Sequence, residues 1–306
     1  MKPRTRALLV FVDGIGFGAE GPQNPFDGTP LEILGALAGH TCRIDGVEIG
    51  AVDATLGHAG LPQSATGQAA IFTGVDAIEL SGGHHRSGYP TPTLRALIQR
   101  EGFLGRARER GQRGAFLNAY DRGRAEHIAR VLLGEEAASR RHPPSSSSVA
   151  ALAKDGALAT FEDVHRGRAA TFDLTGELLR AAGIDAPSVS IKHAARAVAA
   201  GAAEADLSLF EMFLTDSAGH AQDTEWARDE AVRTDRFLVE LMASIDPREQ
   251  LVVVTSDHGN LEDLSVRTHT RAPVPLLAYG AGARAFVAGA SSLLDIAPRL
   301  LAAAAG

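Results

Sequence analysis

The sequence predicts an α/β protein of three layers, a mainly parallel sheet with helices on both faces and a small inserted cap. Two observations carry that expectation. Apolar runs at Ala7–Val12, Leu207–Leu214 and Leu251–Val254 have strand length, and runs buried on both faces are what a parallel sheet requires. Each run is followed by a turn carrying an Asp, with helix-like stretches between them. Ligands bind outside the carboxyl ends of strands in open α/β sheets.

At 306 residues the chain holds one large domain or a core with an insertion. We draw a catalytic core over 1–120 and 186–306 and an inserted cap over 121–185. The net charge of -7 argues against nucleic acid held by bulk charge. A small anionic substrate stays open, because a metal supplies local positive charge. The single Cys42 excludes an intrachain disulfide framework and fits a reducing compartment. The apolar run at Ala7–Val12 is too short for a signal peptide, and no run approaches the ~20 residues that span a bilayer. The expectation is a cytoplasmic protein with no membrane or nucleic-acid partner and an open oligomeric state.

Taken in order, Ala7–Val12 reads as the first buried strand and Asp13-Gly14-Ile15-Gly16-Phe17-Gly18 as the turn leaving it. Those glycines fall every second residue, which is not the dinucleotide-binding spacing. Asp13 reads either as a local turn or cap acceptor or as a metal ligand at the strand end. Pro30–Ala38 reads as a short helix and Gly46–Leu56 as strand. Ser64 stands at or near the start of a helix that closes at Thr73-Gly74. It is either an N-cap or a nucleophile facing helix N–H donors.

Pro92–Gly111 reads as one helix and Gly114–Tyr120 as a strand. Arg140–Ser148 is the most linker-like stretch, flanked by helical pieces at 124–133, 149–158 and 176–182. After Leu207–Leu214 comes Asp216 with His220, a spacing that places both on one face of a helical turn. An amphipathic helix over 223–244 leads to Leu251–Val254, then Ser256-Asp257-His258-Gly259-Asn260 and, eleven residues beyond His258, His269. A second apolar run ends at Tyr279-Gly280, and Ser292–Ala305 is a last helix.

Three strand ends thus offer three carboxylates, three imidazoles and Ser64, an oxygen and nitrogen set suited to divalent metals. The arrangement resembles the alkaline phosphatase superfamily, and most closely its cofactor-independent phosphoglycerate mutase branch. The likeness lies in Val12-Asp13-Gly14, Ser64 with Thr73-Gly74, Asp216-x-x-x-His220, Asp257-His258-Gly259-Asn260, and His269-Thr270 with Pro273-Val274-Pro275. It implies an alkaline phosphatase-like fold and two divalent ions, Mn²⁺ or Zn²⁺, with Mg²⁺ also compatible. Asp216, His220 and His269 would hold one ion; Asp13, Asp257, His258 and the Ser64 oxygen would hold the other. Ser64 would accept the phosphoryl group of a small phosphorylated metabolite. Arg86, Lys192 and Arg271 are the cations available to contact the phosphate.

The chain departs from the mutase pattern after the nucleophile, where Ala65 and Gln68 replace an acidic residue and a histidine. The segment 121–185 is also far shorter than the arginine-rich domain that the mutase inserts. Hydrolysis of a phosphate monoester is therefore the expectation, ahead of a small phosphomutase. A catalytically silent metal- or phosphometabolite-binding protein is the reading from a different class.

Overall fold

The computed structural model describes residues 5–138 and 143–305. Its main sheet has six strands in the order β2-β8-β7-β1-β6-β3. These are β1 (Arg6–Val12), β2 (Val47–Val52), β3 (Gly114–Phe116), β6 (Leu207–Met212), β7 (Gln250–Thr255) and β8 (Val274–Gly280). A separate two-stranded sheet pairs β4 (Ala119–Tyr120) with β5 (Ala159–Thr160). β7, β1, β6 and β3 are parallel, whereas β8 runs antiparallel to both β7 and β2.

β1 lies at the centre, and its alternating side chains build both cores. Ala7, Leu9 and Phe11 join one hydrophobic cluster with the helices Ser64–Thr73, Pro92–Glu101, Phe103–Glu109 and Ile296–Ala305. Leu8, Val10 and Val12 join the other with the helices Ile191–Ala203 and Thr224–Met242. A strand's period of two forces that division, so helices cover both faces and the three layers follow. Phe11 meets Phe72 edge-on at 5.9 Å on one face, and Phe210 stacks on Phe237 at 5.1 Å on the other. Each such buried side chain contributes roughly 1.5–3 kcal/mol.

Several elements differ from the sequence reading. The expected helix over 92–111 is two helices, because Gly102 takes an extended conformation with ψ 135°. A side chain there would have its Cβ 2.5 Å from the Ile98 carbonyl oxygen. Pro30–Ala38 is reduced to one 3₁₀ turn, Leu34–Ala38. Buried Asp235 accepts hydrogen bonds from the amides of Glu32, Ile33 and Leu34 at the start of that turn.

The linker-like stretch behaves least as expected. Arg140, Arg141 and His142 lie outside the described residues. Ser145 caps the helix Ser146–Leu152 by accepting from the Ser148 amide. Ser146, Ser147 and Ser148 are all buried. That helix packs on Pro92–Glu101 and Phe103–Glu109, and its Val149, Ala150 and Ala151 belong to the main core. Part of the segment 121–185 therefore shares the core, while Val164 and Ala169 form a small cluster with Ala119. No helix among the described residues is long and apolar enough to cross a membrane.

Candidate metal centre and adjoining cavity

The site is assembled at the carboxyl ends of β1, β6 and β7. Asp13 follows β1 directly, and Gly14 turns the chain with φ +72°. A Cβ on Gly14 would lie 2.7 Å from the Asp216 Cβ, so only glycine lets these strand ends meet. Asp216 and His220 sit on the helix Leu214–Ala221 that leaves β6, and Asp257 and His258 follow β7. Gly67 brings the helix Ser64–Thr73 against them: a Cβ there would be 2.8 Å from the Asp257 Cβ.

Ser64 is the first residue of that helix, and Gln63 occupies the cap position without a side-chain bond. The capping alternative for Ser64 therefore falls away. Its Oγ instead lies 3.0 Å from His258 Nε2. The same nitrogen is 3.3 Å from Asp13 Oδ1 and 3.6 Å from Asp257 Oδ2. Asp257 and His258 are fully buried and Asp13 nearly so. Gln68 donates its amide to both carboxylates, at 3.3 Å to Asp13 Oδ2 and 3.2 Å to Asp257 Oδ2.

A second group lies beside the first. Asp216 Oδ2 is 3.3 Å from His220 Nε2, which is 3.2 Å from His269 Nε2. Both imidazoles present Nε2 because their Nδ1 atoms face carbonyls, Arg267 O for His220 and Pro62 O for His269, each at 2.8 Å. Such carbonyl partners set the tautomer of a metal-binding histidine. Asn260 Nδ2 donates to Asp216 Oδ1 at 2.6 Å.

Ligand atoms also converge in two triads, Asp13–Asp257–His258 and Asp216–His258–His269. The second triad places His258 where the family resemblance places His220. His220 Nε2 lies 3.3 Å from Asp216 Oδ2, whereas His258 approaches Asp216 through Nδ1, at 4.0 Å.

The protonation chemistry fits a cation. Burial, reinforced by Asp257 and Asp216, pushes the Asp13 carboxyl well above its ordinary range. Burial and the charge of Asp216 likewise push Asp257 up to about 8. Burial and His269 push His258 down to about 3, leaving a neutral imidazole. Burial would raise Asp216 as well, but hydrogen bonds from His220 and Asn260 outweigh it and hold the group at about 2. Asp13 Oδ1, Asp257 Oδ1 and His258 Nδ1 are buried with no hydrogen-bond partner among the described residues. Such orphaned, mutually repelling groups are costly unless a cation neutralises them. The residues present therefore fit a divalent ion.

A cavity of about 760 Å³ opens from this centre, reaching Asp13, Ser64, Gln68 and Asp216. Much of its remaining lining comes from 121–185, including Arg124, Ile128, Ser148, Phe161 and Phe172. None of the three cations expected at the phosphate lines it. Lys192 is 3.4 Å from Glu240, Arg271 donates to the Gly60 carbonyl, and Arg86 is exposed. Among the described residues, Arg124 is the basic residue in the lining. Arg124, Gln68 as a carboxylate donor, and Glu211 of β6 were not legible as a group in the sequence, because none stands in a recognisable spacing.

A family model described as the metalloenzyme superfamily matches residues 5–304. The chain belongs to that superfamily, a group of metal-dependent phosphoryl-transfer enzymes with an alkaline phosphatase-like fold. Over 143 residues it is 32% identical to the 2,3-bisphosphoglycerate-independent phosphoglycerate mutase of Cereibacter sphaeroides, covering 44% of this chain and 26% of the mutase. Over 64 residues it is 39% identical to a phosphopentomutase of Chromohalobacter salexigens, covering 21% of this chain and 15% of that enzyme. The matches thus span about a quarter or less of these relatives. Alkaline phosphatase from the Antarctic bacterium TAB5 shares the fold with a TM-score of 0.52 and 14% identity, covering 99% of each chain.

Proposed function

We propose that the protein hydrolyses a small phosphate monoester with two divalent ions and Ser64 as nucleophile. The observation that carries this reading is the Ser64 hydroxyl, held 3.0 Å from His258 at the mouth of a cavity and backed by Asp13 and Asp257. Asp13, Asp257, His258 and the Ser64 oxygen would hold one ion, and Asp216, His220 and His269 the other. Bound there, the ions would stabilise charge on the attacking and leaving oxygens and favour the serine alkoxide.

The chain's own residues account for the rest. Ser64 gives up its hydroxyl proton to solvent, its Oγ forms the bond to phosphorus as the ester P–O bond breaks, and the leaving alcohol takes a proton from water. A second water then displaces Ser64, which recovers its hydroxyl as inorganic phosphate departs. Gln68 holds the Asp13 and Asp257 carboxylates, and the Arg267 and Pro62 carbonyls hold the two outer imidazoles. Arg124, which lines the cavity, would meet an anionic part of the substrate in place of Arg86, Lys192 or Arg271. The parts of 121–185 that line the cavity would act as its cap. A cytoplasmic setting belongs to the same reading and rests on the lone Cys42.

The test joins metal analysis with turnover of p-nitrophenyl phosphate and its bis ester under Mn²⁺ or Zn²⁺. Two ions per chain and faster monoester cleavage are expected. Full turnover by Ser64→Ala would overturn the covalent route, and failure to bind any divalent ion would overturn the whole reading. The mutase names of the matched relatives favour a second reading, in which the cavity holds the alcohol for return of the phosphoryl group. Isomer formation from a phosphosugar or phosphoglycerate, faster than phosphate release, would establish that alternative.

A further inference from the structure

Glu211 lies on β6 and is 7% exposed, yet it lines the same cavity as Ser64 and Asp13. Its main chain is clamped by Asn118, which donates to the Glu211 carbonyl and accepts from the Glu211 amide, both at 2.7 Å. Its Oε2 accepts a hydrogen bond from the buried Ser147 hydroxyl. Its Oε1 accepts none among the described residues, and no cation there pairs with it. A carboxyl bonded only by Ser147 would serve as an ordinary structural group if it faced the core. Here it borders a space large enough for a substrate, with one oxygen uncommitted.

An unpaired buried carboxylate costs several kcal/mol, and the cost is relieved when a cation arrives. Burial accordingly pushes the Glu211 carboxyl up to about 7, with Ser147 opposing. The cavity lining adds the rings of Tyr120, Phe161, Phe172 and Phe213, the last two stacked at 4.6 Å. Aromatic faces attract organic ammonium groups, and a carboxylate beside them supplies the counter-charge. A polyol would use the hydroxyls of Tyr120 and Ser148, but it would bring no positive charge to the free oxygen of Glu211.

We propose that the cavity receives the amino-alcohol half of a phosphate monoester, with its ammonium group against Glu211 and the aromatic wall. This inference rests on the phosphatase reading of the same site. It is tested with the metal-loaded protein and three non-hydrolysable probes, 2-aminoethylphosphonate, 2-hydroxyethylphosphonate and propylphosphonate, by titration calorimetry. The amine is expected to bind at least about tenfold more tightly than either probe that lacks the ammonium group, the order of a cation on a desolvated aromatic site. Glu211→Gln is expected to bring the three affinities together.

Equal binding of the three probes by the wild-type protein would overturn the proposal, and so would a hydroxyl probe that matches the amine. That comparison needs no variant, so misfolding of Glu211→Gln would leave it intact. Turnover of p-nitrophenyl phosphate without amine preference would sink this inference alone. Absence of both turnover and phosphonate binding would sink the phosphatase reading with it.

Discussion

The two halves of the candidate metal centre use the same kinds of side chain in different settings. Asp13, Asp257 and His258 are shut away from water, and their carboxyls are pushed up while the imidazole is pushed down. Asp216 and His220 lie nearer solvent, where hydrogen bonds hold Asp216 at about 2 and its contact with Asp216 pushes His220 up, while burial pushes His269 down. The open half is satisfied by its own ion pairs. The buried half is not, because desolvation penalises each charge more than its neighbours repay. One half should therefore depend on the cation for its ionisation, and the other should mainly add affinity.

The sharpest break in that comparison is Asp257→Asn against His220→Ala. Divalent ion at a hundred times its Kd should stabilise the wild-type protein by about 3 kcal/mol, read as a rise in Tm. Asp257→Asn should abolish most of that response and turnover with it, while leaving the metal-free protein as stable or more so. His220→Ala should keep one tightly held ion and lose roughly 10- to 100-fold in affinity for the other, measured by metal titration. Equal loss in the two variants would erase the distinction between the halves. Ser64→Ala should lower kcat on the order of 10³-fold or more with the ion at Asp216, His220 and His269 retained, as expected when a nucleophile is removed.

Glu211 extends the comparison to the cavity. Its carboxyl is raised from 4.5 to about 7, so the folded protein binds more protons than the unfolded chain between those values. Its contribution to stability is full below about pH 4.5 and is lost as pH rises through 7. The metal-free protein should lose roughly 3 kcal/mol from this group between pH 4.5 and 8, at about 1.4 kcal/mol per unit. Glu211→Gln should flatten that part of the curve in denaturant titrations at several pH values. The smallest effect belongs to Lys192→Ala, which removes a half-exposed pair with Glu240. It should cost under about 1 kcal/mol and leave KM unchanged.

Periodicity and short spacings made the scaffold legible. The apolar runs at Ala7–Val12 and Leu251–Val254 are strands with both faces buried, as β-branched and aliphatic runs of that length require. The Asp and His groups at the strand ends were readable because each sits within a few residues of a run that fixes its position. The serine stretch at 145–148 was misread for the converse reason. Serines resemble a linker by composition, whereas Ser146, Ser147 and Ser148 are buried because their helix packs on Pro92–Glu101 and Phe103–Glu109 and Ser147 donates to Glu211 on a distant strand.

By itself, the sequence determined the three-layer class, the order of the strand ends and the residues gathered there, since strand and turn patterns are local. Tertiary structure alone decided that Ser64 faces His258 rather than capping its helix, and that Arg124 instead of Lys192 borders the cavity. It also decided which carboxylates are short of a partner. Those are properties of burial and of neighbours far apart in the chain, and desolvation acts only once the chain has folded around them.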